Sequence, residues 1–210
     1  MRLDTEVQWR AMIERFPPAE SPDGRPVERF DDGEAFDAWL DAHHDTVDGL
    51  WILMAKKGSG VQSVDWASAV PMALCHGWID SQSKRVDDKW FVQKFVPRRP
   101  RSIWSQVNVA HVERLTAEGS MRPWGLVEVD RAKADGRWAA AYHPSSSRKV
   151  PPELQQALDA SPQAAAEFAK MDSRNRYAIV HRIQTAIRVE TRERNAAKFV
   201  AMLECGERPV

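Results

Sequence analysis

"LCHGWIDSQSKR", Leu74 to Arg85, decides the fold. Upstream of it, Trp66, Ala69, Val70, Ala73, Leu74 and Gly77 recur at three- and four-residue intervals, the stripe of a helix packed on a core. Asp65 suits the N-cap, and Pro71 removes one backbone hydrogen bond inside the helix, which predicts a kink. Downstream, "WIDSQSKRV" and "KWFVQKFV" read as two strands joined through "DDK", a hairpin. The stretch therefore marks a helix ending at Gly77 and a strand beginning near Asp80. It also gathers a thiol, an imidazole and a carboxylate. Adjacent helical side chains do not face each other, so Cys75 and His76 cannot form a nucleophile–base pair. Cys75 reads as a small inert hydrophobe on a helix buried on two sides.

Working outward towards the N-terminus, "GLWILMAKK" (49–57) is an apolar run of strand length and reads as a central strand, broken by "GSG". "VERF" (27–30) reads as a short strand. Asp32 or Gly33 then opens a helix through "EAFDAWLDAHH", with Phe36, Trp39 and Leu40 on one face. "HHD" (43–45) closes that helix, where imidazoles suit the negative end. Residues 1–25 read as a leader segment with a short helix.

Towards the C-terminus the pattern turns helical after "PRRPR". Ser102 is expected to cap "IWSQVNVAHVERLTAEG", Gly119 ends that helix, and Pro123 opens another that finishes near Gly136. "HPSSSRKVPP" (143–152) reads as a linker. Short helices follow at 151–160 and 162–170, then "SRNRYAIVHRIQTAI" and "ETRERNAAKFVAML". Ile179, Val180, Ile183 and Ile187 form the expected buried face of the third, with Arg174, His181 and Arg188 on a solvated one. The expected architecture is α+β: an N-terminal domain with a small mixed sheet (26–142), the linker (143–152) and a small all-helical domain (153–206).

Composition narrows the classes. Lys plus Arg and Asp plus Glu are 30 each, so net charge steers the 210-residue chain to neither nucleic acid nor a membrane surface. Cys75 and Cys205 lack metal-type spacing and suit a reducing cytosol. "MRLDTEVQWRAMIERFPPAESPDG" has no apolar core of signal-peptide length, and no run approaches a bilayer span, so the expected location is cytoplasmic. The nine tryptophans read as core aromatics. No metal-binding motif or cofactor motif is present.

The densest chemistry lies in "FVPRRPRSIWSQVN" (95–108). Pro97 and Pro100 hold Arg98, Arg99 and Arg101 extended, leading into a helix start at Ser102, with Ser105 and Asn108 one and two turns on. Guanidinium groups beside helix N-terminal amides are a recipe for phosphate or carboxylate binding. "KKGSG" adds Lys56, Lys57 and Ser59 on a glycine loop without matching a phosphate-loop pattern. With Trp78, Asp80 and Trp104, these residues make the expected ligand set, provided the three segments converge.

The stretches "AKKGSG", "ALCHGWID", "FVPRRPRSIWSQVN", "AKADGRW" and "DSRNRYAIVHRIQTAIRVETRERNAAKFVAML" resemble the YdeI/OmpD-associated, bacteriocin-protection family over about residues 27–206. The chain departs from that pattern at His76, where the family commonly has an aromatic, and at Ile187, where lysine is frequent. The resemblance implies a protection-type protein with no assigned catalytic residues. The expected function is binding of a small anionic ligand or an acidic protein partner through the arginine segment. An enzyme acting on a phosphorylated or carboxylated metabolite is the alternative, with Asp80 as acid/base and Cys75 or Ser59 as nucleophile. Nucleic-acid binding ranks last, because there is a single basic cluster on a neutral chain.

Overall fold

The computed structural model describes residues 21–147 and 149–207; the expected leader falls largely outside them. The chain forms two compact units, ending and beginning at Arg98 and Arg99. The fold is α+β, with a mixed four-stranded sheet in the first unit and eight helices among the described residues.

In the first unit, strands β1 (Val27–Glu28), β2 (Leu50–Ala55), β3 (Trp78–Arg85) and β4 (Trp90–Pro97) lie in the order β1-β2-β4-β3. The β1–β2 pair is parallel and the other two pairs are antiparallel. Strand β2 is central, and its apolar run is buried along Leu50–Met54. Successive strand side chains point to opposite faces. Trp51 and Leu53 accordingly cluster with Trp90 and Val92. Leu50 stands opposite Phe95, which meets Phe36 at 5.3 Å ring to ring. Phe36 belongs to helix α1 (Gly33–His43), capped by Asp32, whose carboxylate accepts the Ala35 N–H at 2.9 Å. His43 and His44 direct Nδ1 to the carbonyls of Trp39 and Leu40, so both imidazoles close the helix end.

Helix α2 (Trp66–Cys75) starts at the Asp65 cap and runs through Pro71 as one continuous helix. Ala69, Val70, Ala73, Leu74 and Cys75 are buried, as the stripe and the two-sided burial require. Trp66 departs from that stripe: it is 46% exposed, and its indole N–H donates to Asp80 at 3.0 Å. At N1 the side chain lies beyond the packed part of the helix and is held by its polar edge instead. Gly77, at φ 71°, ends the helix in the left-handed conformation, and the chain enters β3 at Trp78.

The second unit holds helices α3 (Gln106–Ala117), α4 (Pro123–Ala134), α5 (Pro152–Asp159), α6 (Pro162–Lys170), α7 (Ser173–Gln184) and α8 (Val189–Glu204). One hydrophobic cluster, including Leu154, Phe168, Ile179, Ile183, Phe199 and Leu203, joins α5 to α8. Ile187 lies outside it at 47% exposure, because α7 ends at Gln184 and the helical face does not continue to it.

Helix α3 begins three residues later than the sequence suggests. Ser105 is the N-cap, accepting the Asn108 N–H at 3.1 Å. Trp104 and Ser105 are held extended beside Tyr142: the Tyr142 N–H donates to the Trp104 carbonyl, and the Gln106 N–H to the Tyr142 carbonyl. Arg137 occupies the Ser102 carbonyl at 2.7 Å, and the Ser102 hydroxyl accepts the Arg99 N–H at 2.9 Å. Ser102 therefore closes a turn.

Candidate functional site

The sequence-derived ligand set divides between the units. In the first, Lys56 donates its N–H to Lys89 and its ammonium to the Asp87 carbonyl, both at the hairpin end of the sheet. Gly77 and Trp78 lie at the other end, where Gly77 accepts the Arg98 N–H and Trp78 pairs with Pro97. The length of β4, Trp90 to Pro97, separates these ends by about 23 Å at a strand's rise per residue. The Lys56–Gly60 loop and the Gly77–Arg98 corner thus do not meet, because antiparallel pairing sends the start of β4 to one and its end to the other.

Individual members also find other work. Ser59 turns inward, its N–H bonded to the Lys56 carbonyl and its hydroxyl accepting from Val61; Lys57 is exposed. Trp78 is buried, with its indole N–H on the His44 carbonyl. Asp80 is half-buried and accepts from Trp66. Arg98 is 6% exposed, as part of the packed corner. In the second unit Arg99 and Arg101 are exposed, Trp104 is buried with its ring 4.9 Å from that of Trp138, and the Ser105 and Asn108 positions form the α3 cap.

Cys75 is buried, and His76, its side chain shut from solvent, places Nε2 2.8 Å from Asp37 and 3.9 Å from Asp41 on α1. The ligating atoms of these three residues lie within 4.8 Å of one another, an acidic–imidazole cluster of the kind that can hold a divalent ion.

The clearest concavity lies elsewhere, at the head of α7. A cavity of about 160 Å³ lies between His143, Pro144, Ser147, Lys149 and Val150 and the first two turns of that helix. From α7 come Ser173, Arg176, Tyr177 and Val180, at i, i+3, i+4 and i+7, which is one helical face. Ser147, Lys149, Val150 and Phe168 complete the lining. Among the described residues no carboxylate lines this cavity, and neither Lys149 nor Arg176 is in an ion pair with an acidic side chain.

Local structure explains why these walls hold. Asp172 caps α7, accepting the Asn175 N–H at 2.9 Å, and that bond holds its carboxyl below the ordinary range. The Gln184 amide grips the His143 backbone at both ends, accepting its N–H at 3.1 Å and donating to its carbonyl at 3.2 Å. Tyr177 donates a longer bond, 3.4 Å, to the same carbonyl. Burial, followed by the nearby Tyr142 phenol, pushes the Tyr177 hydroxyl above its usual range, so it remains a donor near neutrality. His181 packs edge-on to Tyr142 at 4.8 Å, and burial lowers its pKa, so it is no ordinary surface imidazole. The expected linker is therefore anchored to α7. Sequence reading missed the cavity because one wall comes from a segment with no pattern of its own.

Fold and cavity together define an α+β protein with a C-terminal helical module that frames a cation-lined pocket. Residues 147–206, which hold the helical module, match the bacteriocin-protection family described as YdeI or OmpD-associated. Residues 28–128 match a separate domain of unknown function, which takes in "AKKGSG", "ALCHGWID" and "FVPRRPRSIWSQVN". Neither the curated proteins nor the solved structures gave a match to the chain. Among the described residues no helix is long and apolar enough to cross a membrane.

Proposed function

We propose that this is a protection-type protein of the cytosol that acts by binding a small anion, in the cavity at the head of α7, rather than by catalysis. The observation that carries this reading is a pocket lined, among the described residues, by two cations and no carboxylate, in a chain that has as many acids as bases. An anion in this pocket would gain charge-assisted hydrogen bonds from the Arg176 guanidinium and the Lys149 ammonium. The hydroxyls of Ser147 and Ser173 supply further donors. The family match agrees with a protective role and names no reaction. Arg99 and Arg101, exposed on their turn, are the competing seat for the anion.

A thermal-shift screen against carboxylates and phosphorylated metabolites tests the reading. Ligand at about 100 times its Kd stabilises by roughly 2.7 kcal/mol, a shift of about 5–11 °C for a chain of this size. The expected hit is abolished by Arg176→Ala and retained by the double variant Arg99→Ala/Arg101→Ala. The reverse pattern moves the site to the arginine turn. No shift across the panel removes small-anion binding as the function.

A further inference from the structure

Resting on the anion-binding reading, we infer that the ligand is amphipathic: one anionic group on a compact apolar body the size of a benzene ring. The lining mixes two chemistries. Lys149, Arg176 and the hydroxyl groups of Ser147 and Ser173 are polar. Phe168 and Val180 belong to the hydrophobic cluster of the helical module, and Val150 packs against that cluster. The pocket thus reaches core side chains. An inorganic anion would leave these apolar side chains in contact with water and gain nothing from them. An apolar body seated there extends the core and is favoured in proportion to the area it covers.

Size fixes the body. A dry apolar cavity of about 150 Å³ accepts benzene, and the volume here is about 160 Å³. The anionic head then falls to Lys149 and Arg176, the two cations of the lining. The ligand class is an aromatic or short branched monocarboxylate, or the corresponding phosphomonoester.

Calorimetric titration of the full chain with benzoate, phenyl phosphate, acetate and inorganic phosphate tests this. Benzoate and phenyl phosphate are expected to bind at least about ten-fold tighter than acetate and inorganic phosphate, respectively. The stronger of the two aromatic ligands identifies the head group. Val150→Trp, which fills the half-buried apolar side, should abolish that advantage while leaving the weak binding of the small anions. Leu at the same position is a milder filling that guards against misfolding, and it should reduce the advantage partway. Acetate or inorganic phosphate binding as tightly as its aromatic counterpart, with all of it lost in Arg176→Ala, would overturn the amphipathic ligand and leave the anion site standing. Failure of all four to bind would overturn both.

Discussion

Gly77 shows how much one position can decide. Its φ of 71° lies where an L-residue is strained by about 1–2 kcal/mol, and its carbonyl accepts the Arg98 N–H at 2.9 Å. Gly77→Ala should lower the melting temperature by about 2–8 °C, read by calorimetry. A neutral substitution would show that the turn relaxes. The glycine was legible in "LCHGWID" because helical periodicity stops on it. His181 was not: its seven-residue spacing from Arg174 and Arg188 suggested a solvated face, and only the fold brings Tyr142 beside it. Burial disfavours its charged form. With the folded pKa below the unfolded value of about 6.5, the unfolded chain binds the extra proton, so this contribution is complete above that value. It is lost as pH falls towards the lower, folded value. His181→Phe preserves the ring packing and should melt with a shallower pH slope between about pH 7.5 and 5 than the parent. His111, whose pKa burial also lowers, is common to both proteins and cancels in the comparison. Equal slopes would remove His181 as the source.

At the scale of elements, the sequence carried the order of helices and strands well, because burial imposes periods of two and 3.6 on any packed segment. It failed where a boundary depends on a distant backbone. "RSIWSQVN" offers Ser102 and Ser105 as equally good caps; Tyr142, far along the chain, selects Ser105 by pairing with the backbone at Trp104 and Gln106. The cavity has the same character. The α7 face of Ser173, Arg176, Tyr177 and Val180 is visible as spacing, but its facing wall is a segment that reads as a linker. Gln184 makes that linker a wall by gripping both polar groups of the His143 peptide. Each such bond contributes about 0.5–1.5 kcal/mol net. Gln184→Ala should therefore speed hydrogen exchange at the His143 amide and weaken anion binding, although Gln184 does not line the 160 Å³ cavity. Unchanged exchange would mean that Tyr177 alone holds the segment.

On the scale of the whole molecule, each unit has a core of its own. The first is built on β2, the second on the cluster joining α5 to α8, with Val112, Leu115, Val129 and Ala132 buried on α3 and α4. The division between Arg98 and Arg99 falls in the Pro-Arg segment, earlier than the 143–152 boundary that composition suggests. Proline and serine in "HPSSSRKVPP" signal a loop, and a loop clamped to a helix has the same composition as a free tether. The family match begins at residue 147, whereas two cavity residues, His143 and Pro144, and the partner ring of His181, Tyr142, precede it. The cavity thus extends beyond the matched segment. Residues 99–210, expressed alone, should give a helical far-UV spectrum, melt cooperatively and bind the anion within about two-fold of the full chain, since roughly a hundred residues bury enough surface to fold. Residues 147–210 alone should lose the anion, because the His143 wall and its Gln184 clamp are gone. Full affinity in the shorter fragment would confine the site to α7 and leave the preceding segment without a part in it.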